Sequence, residues 1–277
     1  MKQIEIRKNE QLKNYTTLHI GGNCKNIYFP KNEEEVKEVL KLNPIILGKG
    51  SNVLIDDTKE FEHTMILTKF NGITLEDNVI IADAGATLMD VCIFAYEHGL
   101  TGMEFAYGIP GSVGGAILMN AGAYGGEIKD VIEKVKTNKA FYSNEECDFS
   151  YRHSVFTDNN ECVLKGYFKL KKGEKELIRC KMEELIRKRE EKQPLDQYSA
   201  GSTFKRGKDF YASQLILDCG LKGYRVKDAS VSIKHAGFLI NEGNASYDDF
   251  MNLIKNIQEI VYKKTGKILE CEVKIIQ

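Results

Sequence analysis

Apolar positions change their period along the chain, and each change predicts an element. Val36, Val39 and Leu40 share one helical face, and Asn32 with Glu35 three residues on forms a cap for that helix. The short runs Ile45–Leu47 and Val53–Ile55 then read as buried strands around the turn GKGSN (48–52), so the first 65 residues predict a β-α-β-type unit. Further strand-like runs at 65–67, 79–82 and 162–170 flank one helix. Thr87 and Asp90 open it, Leu88, Val91, Cys92 and Ala95 form its apolar stripe, and Gly99 stops it. From about 176 helices dominate. Ile178, Met182 and Leu185 mark a charged helix that Pro194 must follow, and Ser246 and Asp249 open a long one bearing Phe250, Ile254, Ile257 and Val261 before Gly266. The last segment, LECEVKII (269–276), alternates: Leu269, Cys271, Val273 and Ile275 on one face, Glu270, Glu272 and Lys274 on the other.

Length and composition narrow the class. The 277 residues allow about two domains, and 42% hydrophobic residues supply real cores and exclude intrinsic disorder. With 39 basic and 40 acidic residues, the balance argues against a nucleic-acid binder or a polybasic membrane protein. The uncharged stretch 105–126 is broken by glycines and a proline, so it does not read as a transmembrane helix, and the N-terminus lacks a signal-peptide core. Seven scattered cysteines, never in a CxxC, read as reduced and mostly buried thiols of a cytoplasmic protein.

Nine of the 24 glycines fall between positions 99 and 126, a tenth of the chain. The segment EFAYGIPGSVGGAILMNAGAYGGE (104–127) can bend through positive φ and bring backbone N–H groups close to phosphate oxygens. No lysine or arginine lies between Gly99 and Lys129, so charge neutralisation there is expected to rest on oriented amides. The plainer alternative is a set of tight turns between short strands. GKGSN is a second candidate phosphate turn, although it lacks the G-x-G-x-x-G of a dinucleotide Rossmann unit.

Other chemistries find no support. The five histidines never pair at helical spacing, no Cys/His cluster has metal spacing, and neither a P-loop nor a G-x-S-x-G elbow is present. A metal is therefore not expected. Three polar clusters remain: YRHS (151–154), AGSTFKRG (200–207), where Ser202 and Thr203 precede Lys205 and Arg206, and Glu272 on the polar side of the last segment. Taken singly, each also reads as ordinary surface.

In order along the chain, NYTTLHIGG (14–22), GKGSNVLI (48–55), GIPGSVGGAILMNAGAYGGE (108–127), YRHSVF (151–156), AGSTFKRG, HAGFLIN (235–241) and LECEVKII resemble the UDP-N-acetylenolpyruvoylglucosamine reductase family, also called UDP-N-acetylmuramate dehydrogenases. The departures are Lys49 where glycine is common, Gly207 for proline and Lys274 for arginine. The chain looks like the shorter type, without the extra tyrosine-bearing loop. The resemblance implies an α+β fold: a two-part FAD-binding unit of the vanillyl-alcohol-oxidase (PCMH) type, at 1–65 and 66–178, and a substrate-binding domain at 179–267. The strand 268–277 would return near the flavin.

It also implies a cytoplasmic enzyme of peptidoglycan precursor synthesis, and so of cell wall biogenesis, cell shape and division. Non-covalent FAD is its cofactor and NADPH its co-substrate. Hydride passes from NADPH through FAD to the enolpyruvyl methylene carbon, giving UDP-N-acetylmuramate. By motif position, Arg152 is the cation that stabilises the enolate-like charge, Ser202 the proton donor and Glu272 the polarising partner. Gly48, Gly50, Ser51, Asn52, Gly111, Ser112, Gly114, Gly115, Asn120, Ala121 and Gly122 are the implied flavin contacts. Tyr151, Lys192, Lys205 and Arg206 are the implied contacts to substrate, and no obligate protein partner is implied. Two alternatives share these features: another FAD-linked oxidoreductase of the same fold, and a non-catalytic nucleotide-sugar-binding protein.

Overall fold

Capping and apolar spacing act where the sequence places them. The structure, a computed structural model, describes residues 4–277. Its α-helices are α1 (Glu33–Leu40), α2 (Leu88–Glu97), α3 (Val113–Leu118), α4 (Phe156–Asn159), α5 (Lys175–Lys192), α6 (Ala212–Asp218) and α7 (Tyr247–Thr265). The Asn32 side chain accepts from Glu35 N at 2.9 Å, Thr87 Oγ1 from Asp90 N at 3.0 Å, and Ser246 Oγ from Asp249 N at 3.2 Å. Each thereby satisfies a helix-start amide that would otherwise lack a partner. Gly99 and Gly266 sit at φ +63° and +67°, where the chain leaves α2 and α7.

The chain forms two units. Among the described residues, one comprises residues 4–8, Asn26–Lys49 and Glu62–Arg189; the other comprises Asn9–Lys25, Gly50–Phe61 and Glu190–Gln277. In the first, a five-stranded antiparallel sheet runs in the order Phe141–Ser143, Ile132–Thr137, Val163–Lys169, Val79–Asp83, Ile73–Glu76. Helices α2 and α3 pack on it through Leu88, Val91, Val113 and Ile117, all buried with Ile80, Val135, Leu164 and Phe168. In the second, the four-stranded antiparallel order is Tyr198–Ser202, Phe238–Asn241, Ala229–Val231, Arg225–Val226. Phe250, Ile254, Ile257 and Val261 of α7 close its core with Ile216, Leu239 and Val231.

Three expectations need correction. The β-α-β-type unit is not one sheet: Ile45–Leu47 pairs in parallel with Thr64–Ile66, and Val53–Ile55 in parallel with Lys274–Ile276. The turn at 48–52 is therefore a crossover between sheets, because each strand finds its hydrogen-bonding partner elsewhere. The C-terminal strand is also shorter than its alternation suggests. Only Lys274–Ile276 is regular, since residues 270–272 bond instead to the 203–205 segment. Finally, the glycine-rich segment contains a helix, α3, despite two glycines in its first turn. Burial of Val113, Ala116 and Ile117 against the sheet outweighs the glycine cost of roughly 1 kcal/mol each.

Candidate active site

In the first unit the glycine-rich segment is held by backbone bonds to the loop before α2. Leu88 N donates to Gly111 O at 3.0 Å, Val113 N to Ala86 O at 2.9 Å and Gly114 N to Ala84 O at 2.8 Å. Two of the first amides of α3, those of Val113 and Gly114, are thus spent within the protein. Gly114 is small for an internal reason: a Cβ there would meet Ala84 Cβ at 3.0 Å. Gly115 differs. It is exposed, and its Cβ position faces open space with only Ser112 Oγ near, at 3.6 Å. Ser112 sits at the N-cap of α3 without using its hydroxyl as a cap. A Cβ on Gly48 would stand 2.0 Å from that hydroxyl, so the two glycine turns converge on Ser112.

Asn120, fully buried at φ +40°, braces the next loop. Its amide donates to Ser150 O at 3.0 Å and Glu127 Oε2 at 3.1 Å, and its oxygen accepts from Lys129 N at 3.0 Å. These bonds fasten the 120–129 loop to the loop carrying Tyr151 and Arg152. Arg152, at φ +56°, donates from Nη2 to Gly122 O at 3.3 Å and lies 5.0 Å from the Tyr151 ring centroid. Burial pushes the Glu127 carboxyl up, but Lys129, Asn120 and the Arg152 charge outweigh it, and the group is held below the usual carboxylate range. Ala121 and Gly122 are half-buried in the same loop.

The second unit gathers the other two catalytic candidates. Glu272 N donates to Thr203 O at 2.8 Å, Lys205 N to Glu270 O at 2.8 Å, and the Asn52 amide to Glu272 O at 3.2 Å. Ser202, at the end of the strand Tyr198–Ser202, and Asn52 and Glu272, in the adjoining irregular segments, are therefore brought together, all half-buried. Strand alternation separates the two hydroxyls of AGSTFKRG. Thr203 is buried, and its Oγ1 accepts from Leu239 N at 3.3 Å, whereas Ser202 keeps its side chain on the more open side. Gly201, at φ +78°, carries the register shift that precedes Ser202. Gly50 is buried at φ +61°, where a Cβ would collide with Tyr15 O at 2.1 Å, and Ser51 beside it is half-buried. Lys205 reaches Glu270 at 3.8 Å, Arg206 is exposed, and Lys192, the last residue of α5, is exposed.

Two other motifs position this cluster. Thr17 Oγ1 donates to Ser199 O at 2.6 Å, and Asn241 donates to Leu18 O at 3.0 Å. Gly237 O accepts from Thr203 N at 2.9 Å. The sequence reading missed the stacking of His19 on Tyr198, with centroids 3.8 Å apart, and the place of Arg189 on α5 against Gly108. No grouping of His, Cys, Asp and Glu among the described residues could hold a metal ion, and no helix among them is long and apolar enough to cross a membrane.

Open space beside Gly115 and the uncommitted Ser112 hydroxyl at a helix start suit an anionic dinucleotide such as FAD. Residues 25–140 match the profile of an FAD binding domain, and residues 193–276 match that of the UDP-N-acetylenolpyruvoylglucosamine reductase C-terminal domain. The class is that of an α+β flavoprotein oxidoreductase. Over 287 residues the chain is 44% identical to the UDP-N-acetylenolpyruvoylglucosamine reductase of Caldanaerobacter subterraneus subsp. tengcongensis, covering 100% of this chain and 95% of that protein. It is 46% identical to the Clostridium novyi reductase of that name, covering 98% and 92%. The crystal structure of the Thermus caldophilus reductase aligns with a TM-score of 0.86 at 35% identity, covering 99% of each chain. The chain belongs to the UDP-N-acetylenolpyruvoylglucosamine reductase family.

Proposed function

We propose that this protein reduces UDP-N-acetylglucosamine enolpyruvate to UDP-N-acetylmuramate with NADPH, in the cytoplasm, as a step of peptidoglycan precursor synthesis. Bound, non-covalent FAD supplies the relay of hydride from NADPH to the enolpyruvyl methylene carbon. The chain's own residues handle the charge and the proton. Hydride arrival at the methylene carbon builds negative charge on the adjacent carbon and its carboxylate. The Arg152 guanidinium, pre-oriented by Gly122 O and the Tyr151 ring, offers a fork matched to that carboxylate. Ser202 delivers a proton to the adjacent carbon, and Glu272 orients it. A serine hydroxyl is a weak acid, so pre-placed charge must make up the deficit, at about 2.7–4 kcal/mol per contact. Ser112, Gly115 and the 48–52 turn border the flavin in this reading, while Asn120 braces the loop behind it. Tyr151, Lys192, Lys205 and Arg206 serve the substrate. The division into FAD-binding parts at 1–65 and 66–178 and a substrate part at 179–267 belongs to the same proposal.

The observation that carries this reading is the separation of the two hydroxyls: Thr203 is buried and engaged, and Ser202 is left available beside the Glu272 segment. The test is spectroscopic. Purified protein should be yellow, release FAD on acid precipitation, bleach with NADPH and regain its colour with the enolpyruvyl substrate. A colourless protein that takes up no FAD refutes the reading. A flavoprotein that bleaches but is not reoxidised by this substrate refutes the substrate assignment.

A further inference from the structure

The glycine-rich segment contains no cation of its own, yet the fold brings one to it. Arg189, near the C-terminal end of α5, lays its stem against Gly108, where a Cβ would come within 2.9 Å of Arg189 Cδ and 3.0 Å of Ile186 Cδ1. Gly108 is thus the residue whose lack of a side chain admits the arginine. Arg189 Nε is buried without a hydrogen-bond partner, and the guanidinium makes no ion pair among the described residues. Glu190 and Glu191, which follow it directly, are exposed and make no ion pair with it, and the carboxylates further back on α5 are already committed. Glu176 and Glu183 hold Arg179, and Glu184 holds Lys181 and Lys188. In the segment itself, Glu104 accepts from Thr101 Oγ1 and Gly102 N, and Glu127 is taken by Lys129 and Asn120.

A guanidinium N–H withdrawn from water and left bare is costly unless an acceptor completes it. Burial lowers its pKa, and the nearby Tyr124 phenol opposes that only in part. Ordinary packing arginines keep their heads in water or on a carboxylate. This one, half-buried, has no carboxylate and holds its Nε out of water, and Tyr124 of the Tyr124–Gly125 turn, where both residues adopt positive φ, lies near it.

We propose that Arg189 receives a phosphate oxygen of a nucleotide diphosphate bound at the glycine-rich segment. The proposal rests on the flavin and nucleotide-sugar reading above, in which two ligands carry that chemistry: FAD and the uridine diphosphate sugar. Its planar fork matches a phosphate with two N–H donors, which a lysine ammonium cannot reproduce.

The experiment compares the holoenzyme with Arg189→Gln and Arg189→Lys. FAD affinity is read from flavin fluorescence on dilution. Nucleotide-sugar affinity is read from perturbation of the flavin absorbance by UDP-N-acetylglucosamine, with N-acetylglucosamine as the control lacking the diphosphate. Arg189→Gln should weaken one of the two ligands about tenfold or more, as loss of a charged hydrogen bond does. The ligand that weakens identifies the source of the diphosphate, and Arg189→Lys should recover only part of the loss. Both affinities within twofold of wild type would overturn the proposal.

Should neither variant fold, phenylglyoxal labelling of wild-type Arg189, mapped by mass spectrometry, decides instead. Protection by FAD or by UDP-N-acetylglucosamine supports the role, and labelling indifferent to both refutes it. A wild-type protein that binds neither nucleotide refutes the functional reading along with it, whereas wild-type binding that Arg189→Gln leaves intact refutes only the arginine's part.

Discussion

Ser202 and Thr203 are adjacent, yet their surroundings assign them different chemistry. The Thr203 hydroxyl accepts from Leu239 N inside the sheet, and the residue is only 4% exposed. Thr203→Ala should cost about 1 kcal/mol of stability, the usual worth of a buried hydrogen bond, and leave substrate-driven reoxidation within a few-fold of wild type. Ser202→Ala should do the reverse: no stability loss, intact NADPH bleaching, and reoxidation slowed by about 10²–10⁴, the range of a general acid. Stopped-flow absorbance of the two half-reactions reads both. Reoxidation stopped by Thr203→Ala alone would transfer the proton to the buried hydroxyl and sink the Ser202 assignment. Arg152→Lys tests the other end of the same step. It keeps the charge but loses the fork, so reoxidation should slow while bleaching does not.

At the scale of the element, Gly114 and Gly115 share the first turn of α3 and should respond oppositely. Gly114→Ala forces a methyl against Ala84, an overpacking that typically costs about 1–3 kcal/mol, and its flavin loss should follow from its stability loss. Gly115→Ala meets open space and gains helix propensity, so the apoprotein should be as stable or up to about 1 kcal/mol more stable. If Gly115 borders the flavin, that variant should still release FAD more readily. Urea titration of apoprotein alongside fluorescence titration with FAD separates the two effects; unchanged FAD affinity in Gly115→Ala would make this turn purely structural.

The same helix shows where sequence patterns run out. Asn32, Thr87 and Ser246 could be read as caps because a cap is a local device, complete within four residues. The stripes of α2, α5 and α7 were legible for the same reason. Helix α3 was not, because burial against the Val163–Lys169 strand, far along the chain, overrides its glycines. Nor could the pairing of Val53–Ile55 with Lys274–Ile276 be seen, since partners more than 200 residues apart leave no spacing signal. Of the site, the hydroxyl and carboxylate candidates stood out through motif resemblance, whereas Arg189 lies in a run of helical charges and differs from its charged neighbours in holding a buried Nε without a partner.

Across the whole molecule, each unit has a carboxylate whose ionisation ties distant segments together, and this determines how the protein responds to acid. In the first unit Glu33, at the start of α1, accepts two bonds from Lys136 Nζ, at 2.6 and 2.9 Å, and lies 3.6 Å from Lys165. In the second, Asp249 accepts from Ser246 N at 3.1 Å and pairs with Lys227 Nζ at 2.9 Å. Burial pushes both carboxyls up, but their cationic partners outweigh it, helped at Asp249 by the Ser246 bonds. Both titrate below their ordinary values of 4.5 and 3.8. The folded chain therefore binds fewer protons than the unfolded chain in this range. The stabilisation is fully present above the ordinary values and is lost as pH falls through the lowered ones. Urea midpoints should accordingly fall between pH 6 and pH 3.5. Glu33→Gln and Asp249→Asn should each cost about 1–3 kcal/mol at pH 7, as loss of a charged hydrogen bond does. Each should also shrink the drop on acidification, because the variant has one proton fewer to take up on unfolding. If both variants lose as much stability between pH 6 and pH 3.5 as the wild type, these two ties are not what acid breaks.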